Sequence, residues 1–95
     1  MTITNEELLM EFRLVAKCEW CKKKVYVCDP HHIKARGLGG ASRLDIRINL
    51  LSLCRECHND VHLGNITKFD LLLIVVVRED VAQDDIEAVV NLLLR

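Results

Sequence analysis

NLLSLCRECHNDVH, residues 49–62, carries the start of two different metal-ligand patterns within one short turn of chain. Cys54 and Cys57 form a CxxC pair, His58 follows at once, and His62 lies four residues further on. A CxxC turn aims two sulfurs at one ion. Two histidines four apart on a helix project from one face and can share an ion. Residues 50–53 read as a short strand running into the cysteines. Residues 55–63 read as a helix that begins inside the CxxC turn and stops at Gly64, a favourable residue just past a helix end.

Each pattern has its other half upstream. Cys18-x-x-Cys21 lies 32 residues before the second cysteine pair, an interval long enough to hold a functional insert. Four thiolates close a tetrahedral shell and leave no open position, which marks structural Zn²⁺, one per chain, rather than a catalytic ion. A disulfide or a redox CxxC is the competing reading, but neither pair sits in a thioredoxin-like βαβ pattern. The first residues lack the basic and apolar regions of a signal peptide, so a cytoplasmic protein with reduced cysteines is expected. Cys28 has no partner in the pattern and is expected to be a buried small apolar residue. No run of about 18 apolar residues predicts a membrane span.

The remaining histidines are the adjacent pair His31 and His32, so all four of the chain fall in these two places. Adjacent strand residues point to opposite faces. A division of labour follows: one histidine on a metal with His58 and His62, the other nearby as a base. An imidazole with an unperturbed pKa of about 6.5 suits that task at neutral pH.

Outside this frame, Thr4 with Glu7 has capping-box spacing for a first helix bearing Leu8, Leu9, Phe12 and Val15. Residues 25–27, Val-Tyr-Val, are strand formers, and Pro30 ends or bends that strand; His31 then opens a second extended piece. Residues 34–49 have no clear period and contain Gly37, Gly39 and Gly40, which predicts an irregular loop. Thr67 has N-cap character. The stretch it opens, residues 69–77, reads as strand by the propensity of its three valines and as helix by cap and length; a helix is expected. Asp84 or Asp85 is expected to cap a last helix with Ile86, Val89, Val90, Leu93 and Leu94 on one face. These aliphatic segments either cover the core or form a homodimer seam.

The net charge of −1 hides an asymmetry: residues 12–62 hold ten Lys/Arg against five Asp/Glu, and both flanks are acidic. The middle of the chain can therefore face a polyanion. Lys22, Lys23, Lys24, Lys34, Arg36, Arg43 and Arg47 are the candidates for phosphate contacts, which give salt-sensitive affinity and little sequence selectivity.

CEWC at 18–21, DPHHI at 29–33, GLGG at 37–40 and NLLSLCRECHNDVH together resemble, in order and spacing, the HNH nucleases of the ββα-metal (His-Me finger) fold. The resemblance covers about residues 18–64, roughly half the chain. It implies an α+β fold: a core of two short antiparallel strands plus a helix, stapled by the four-cysteine zinc site and flanked by an N-terminal helix and C-terminal helices. Residues 1–95 are expected to be a single domain, with the core at about 18–64 and a helical extension at about 66–95. It further implies that His31, His58 and His62 hold a catalytic divalent ion, Mg²⁺ or Mn²⁺, with Ni²⁺ or Zn²⁺ also suited to imidazoles. His32 is then the general base. Asn49 is the family's central Asn, which braces the loop between the strands and so holds His32. Asp29 is an acidic residue that orients a metal histidine without touching the ion. The implied activity is metal-dependent DNA hydrolysis, by nicking or double-strand cleavage, to 5′-phosphate and 3′-hydroxyl ends, in a prokaryotic or phage-encoded protein. The alternative is a non-catalytic zinc module that binds nucleic acid or protein; it needs the cysteines and has no use for four histidines so placed.

Overall fold

The structure, a computed structural model, describes residues 2–95. Those residues form a small α+β fold with one two-stranded antiparallel sheet and four α-helices. The strands are β1 (Asp29–His32) and β2 (Leu50–Leu53), and the helix α2 (Arg55–His62) follows β2 directly. The register sets His31 opposite Leu51 and His32 opposite Leu50.

β2 is the middle of the molecule. All four of its residues are buried, because both faces of the sheet are covered. Leu51 and Leu53 point into a core shared with Leu71, Leu72 and Val75 of α3 (Lys68–Arg78) and Val89 and Leu93 of α4 (Ile86–Leu94). Leu50 points the other way, onto Leu9 and Phe12 of α1 (Glu6–Arg13). Alternation along a strand thus survives as a choice between two apolar partners. Ser52, on the α1 face, donates its hydroxyl to the Phe12 carbonyl at 2.6 Å, which satisfies a polar group that burial would otherwise penalise.

The expected strand at residues 25–27 does not form. The first cysteine turn folds back on itself instead: Cys18 N–H bonds to Lys23 O at 2.9 Å and Val25 N–H to Ala16 O at 3.0 Å. Val25 packs against the core, but Tyr26 is left fully exposed and Val27 half-exposed, so no strand extends through them. β1 begins later, at Asp29, and contains Pro30. The proline is tolerated because it faces Ser52, whose backbone N–H and C=O bond Glu19 and not β1, so the ladder loses no hydrogen bond there.

The N-cap of α1 is Asn5 and not Thr4; the Asn5 side chain accepts from Leu8 N–H at 3.0 Å. Residues 3–5 are drawn along the loop before β2, with Asp45 N–H bonded to Ile3 O at 2.8 Å and Asn5 N–H to Asp45 Oδ2 at 2.8 Å, and this places the first turn one residue later. Residues 69–77 are helical, as expected, within α3. Thr67 and Asp70 form the reciprocal capping box at 3.1 and 2.9 Å. The other face of α3 shows Phe69, Leu73 and Val77 to solvent. Before α4, Asp84 and Asp85 lie in a 3₁₀ turn, and Asp85 occupies the N-cap position without a side-chain capping bond. Among the described residues no helix is long and apolar enough to cross a membrane.

Arg78, in the last turn of α3, ties the layers together. Its guanidinium bonds both carboxylate oxygens of Glu19 at 2.8 and 2.9 Å and lies 5.0 Å from the Phe12 ring centre. The same Glu19 carboxylate accepts Ser52 N–H at 2.7 Å, so first cysteine turn, central strand and α3 meet at one part-buried fork.

Candidate functional site

The two CxxC turns come together as their spacing predicts. Cys18, Cys21, Cys54 and Cys57 have all four sulfurs within 4.8 Å of one another, and all five cysteines of the chain are free thiols. Cys21 and Cys54 are 3.8 Å apart, far beyond the ~2.05 Å of a disulfide. That separation is the edge of a tetrahedron whose centre lies about 2.3 Å from each sulfur, the ordinary zinc–thiolate distance. In each turn the second cysteine's N–H points at the first cysteine's sulfur at 3.5 Å, as suits a thiolate. The sulfurs titrate apart. Burial raises the Cys18 thiol, but N–H groups of Cys54, Cys21 and Trp20 outweigh it and bring it to about 7. Burial and the neighbouring cysteines push Cys57 well above the usual thiol range, and Cys54 also goes up. Four thiolates so close need a cation among them, and the donor set fits a structural metal such as zinc. Cys28 is buried outside this set, as expected.

The histidines form a separate cluster that starts at His58, the residue after Cys57 in α2. His58 and His62 project from one face with ring centres 4.8 Å apart. His31, on β1, sets its ring edge-on to them, 5.1 Å from His58 and 6.3 Å from His62. Imidazoles sharing an ion at about 2.1 Å have ring centres roughly 4.5–5.5 Å apart, so two of the three separations already match. The third is wider. Among the described residues the cysteines are the one group of three or more ligating side chains whose donor atoms all lie within 4.8 Å. Burial and then the neighbouring rings of His58, His62 and His32, with Lys68, lower the His31 pKa to about 4, so its nitrogen lone pair is free at neutral pH.

Asp29 turns not to His31, its neighbour in sequence, but to His58. Its carboxylate faces His58 Nδ1 at 3.1 Å and accepts from Arg55 Nε at 3.0 Å. Burial would raise the Asp29 pKa; the His58 and Arg55 bonds outweigh it and lower it. An ionised acceptor at Nδ1 holds the proton there and leaves His58 Nε2 for an ion.

His32 points away from the trio, as the alternation of strand side chains requires. Its Nε2 lies 2.8 Å from Oδ1 of Asp45, a carboxylate with no exposed surface. Asn49 is fully buried and acts on the loop between the strands. It accepts Lys34 N–H at 2.7 Å and donates to Leu44 O at 2.9 Å and Lys34 O at 3.4 Å, closing the loop's two ends together.

The histidine trio and His32 line one cleft of about 590 Å³, together with Leu9, Arg13 and Arg36. This redistributes the basic residues. Of the seven expected phosphate contacts, Arg36 alone lines this cleft. Arg43 is turned inward on Asp45 and Glu6, and Arg47 is held by Glu11 and Glu79 over the Phe12 ring. Lys23 pairs with Glu56 on the surface of the cysteine knuckle, and Lys22 and Lys24 line neither histidine cleft. Lys34 is half-buried, with its backbone engaged by Asn49. In their place stand Arg13, from the last turn of α1, and Arg55, which lines the adjoining hollow with Arg13, Asp29, His58 and His62. Among the described residues the Arg13 guanidinium has no carboxylate within ion-pair distance. One signal for it was present: Leu9 and Arg13 are four apart on a helix, so the residue that packs on Leu50 carries the arginine to the same face.

No family model matches the chain, and neither a curated protein nor a solved structure matches it. What the protein does therefore rests on the chemistry of its own side chains.

Proposed function

We propose that the protein is a metal-dependent DNA endonuclease of the HNH, ββα-metal type. The observation that carries this reading is the division of the histidine pair: His31 joins His58 and His62, while His32 leaves them and engages Asp45, yet all four line one cleft. A scaffold needs no such arrangement. His31, His58 and His62 would hold the ion, with a small turn of the exposed His62 ring closing the trio. A divalent ion there, Mg²⁺ or Mn²⁺, supplies Lewis acidity that offsets the charge on the phosphate and on the departing 3′ oxygen. His32 takes the proton from the attacking water. Arg36 and Arg13, which line the same cleft, hold flanking phosphates, and Asp29 keeps His58 oriented.

A supercoiled-plasmid assay tests this. Wild type with Mg²⁺ or Mn²⁺ is expected to convert plasmid to open-circular or linear form, and EDTA is expected to stop it. His32→Ala should cleave about 10²–10⁴-fold more slowly, the usual contribution of a general base. Cleavage by His32→Ala at the wild-type rate would sink the mechanism. The tighter closure of the cysteines than of the histidines favours one second reading, a zinc module that binds DNA without cutting it. That reading predicts no cleavage by either protein under any metal.

The arginines give an independent prediction. Arg13→Ala and Arg36→Ala should each weaken duplex binding at low salt and lower the slope of log K against log salt by about 0.9. Arg43→Ala and Arg47→Ala, whose guanidinium groups are bound internally, should leave that slope unchanged. Fluorescence anisotropy over a salt series reads both.

A further inference from the structure

We infer that Asp45 is the positioning residue for His32 and determines which nitrogen of its ring carries the proton. The inference rests on His32 being the base. The two oxygens of Asp45 have separate duties. Oδ2 accepts from Asn5 N–H at 2.8 Å and from Arg43 Nε at 2.8 Å, with a second Arg43 nitrogen at 2.6 Å. Oδ1 is left for one partner, His32 Nε2 at 2.8 Å. The carboxylate is wholly buried and the His32 side chain is only 9% exposed, so water does not compete for this bond. Burial alone would raise the Asp45 pKa; the bonds from Arg43, the Asn5 amide and His32 outweigh it and hold the carboxyl well below the usual range. An ionised carboxylate can only accept. His32 Nε2 must then be the donor, and the lone pair of the neutral ring falls on Nδ1, the one nitrogen left to serve as a base.

An amide at position 45 would reverse this. Arg43 and the Asn5 N–H both donate to the Oδ2 side, so an asparagine there must turn its oxygen toward them and its NH₂ toward His32. Nε2 would have to accept, and the ring proton would move to Nδ1. The N-terminal segment takes part in the same device. Ile3 N–H bonds Arg43 O at 2.9 Å, Ile3 O accepts Asp45 N–H at 2.8 Å, and Glu6 pairs with Arg43 at 2.7 Å. Residues 3–6 thus fix the residue that fixes His32.

The test is a long-range ¹H–¹⁵N correlation spectrum of zinc-loaded, ¹⁵N-labelled protein without added Mg²⁺, at a pH about 1.5 units above the ordinary imidazole value. The His32 signals are assigned by their loss in His32→Gln. Wild type is expected to show His32 as the Nε2–H tautomer and Asp45→Asn to show it as Nδ1–H. In the plasmid assay with Mg²⁺, Asp45→Asn should lose about a hundredfold or more in kcat with KM for DNA unchanged. An Nδ1–H tautomer in wild type overturns the inference even if Asp45→Asn fails to fold. An unchanged tautomer in a folded Asp45→Asn does so as well. The base assignment is decided separately, by whether His32→Ala cleaves.

Discussion

Removing zinc from the metal-loaded protein is expected to unfold it. Cys18, Cys54 and Cys57 are buried within the main apolar core, beside Leu51, Leu53 and Ile66. Any change at the cluster is therefore a change in the core. Residues 14–28, which carry the first cysteine turn, contain no helix or strand and one isolated bridge between Lys17 and Lys24. Glu19 bonds that turn to Ser52 of β2 and Cys18 packs in the core, and a metal among the four sulfurs would supply the remaining link. Structural zinc sites contribute roughly 10–16 kcal/mol of binding that is coupled to folding. Small domains are stable by about 5–15 kcal/mol in all, so the metal's share is as large as the total. Zinc content should be one per chain, and a strong chelator should abolish the cooperative thermal transition. Cys54→Ser should do the same. It removes a ligand and also the sulfur that caps α2 by accepting from Cys57 N–H. His58→Ala provides the contrast: its ring is partly exposed and bonds Asp29 near the surface, so its melting temperature should fall by only a few degrees. A zinc-free Cys54→Ser protein that melts cooperatively near the wild-type temperature would remove the structural role from the cluster.

The parts of this molecule that were legible in its sequence are those whose cause is local. A CxxC turn, two histidines four apart, Gly64 after a helix and the Thr67–Asp70 cap each act within a few residues, and each appears where its spacing put it. The fate of the basic residues was not local. Arg43 and Arg47 counted as free positive charge in the middle of the chain. Asp45 lies only two residues from Arg43, but the partners Glu6, Glu11 and Glu79 lie more than thirty residues away and became visible only once α1 and α3 had packed on the sheet. Asp45 was hidden in part for the same reason: Arg43 stands two residues away, but His32 and the Asn5 amide that complete its surroundings come from distant parts of the chain. The Val-Tyr-Val stretch failed differently. Its strand propensity is real, but propensity needs a partner strand, and the cysteine knuckle supplies only the isolated Lys17–Lys24 bridge and leaves Tyr26 and Val27 uncovered.

Asn49→Ala should lower stability by about 3–5 kcal/mol, a large effect for one small polar side chain. Asn49 has no exposed surface, and all its side-chain hydrogen bonds go to the loop between β1 and β2. Truncation leaves Lys34 N–H without its acceptor and Leu44 O without its donor, each at about 1–3 kcal/mol, and a void is added where the amide was. For a domain of this length each kcal/mol moves the melting temperature by roughly 4–8 °C, so a fall of about 12 °C or more is expected. Asn49→Asp should fare no better. It keeps an acceptor for Lys34 N–H but cannot donate to Leu44 O, and it places a charge in a fully buried position. The Lys34 amide reports the mechanism directly: it should be protected from hydrogen exchange in wild type and exchange freely in Asn49→Ala below its melting temperature. The loop that Asn49 closes runs from two residues past His32 to the residue before Asp45, so its loosening loads onto the His32–Asp45 pair from both sides. On the proposed nuclease reading, Asn49→Ala should therefore lose cleavage in parallel with stability, and cooling should restore part of it. Asp45→Asn, which changes a proton's place and not the loop's closure, should gain nothing from cooling.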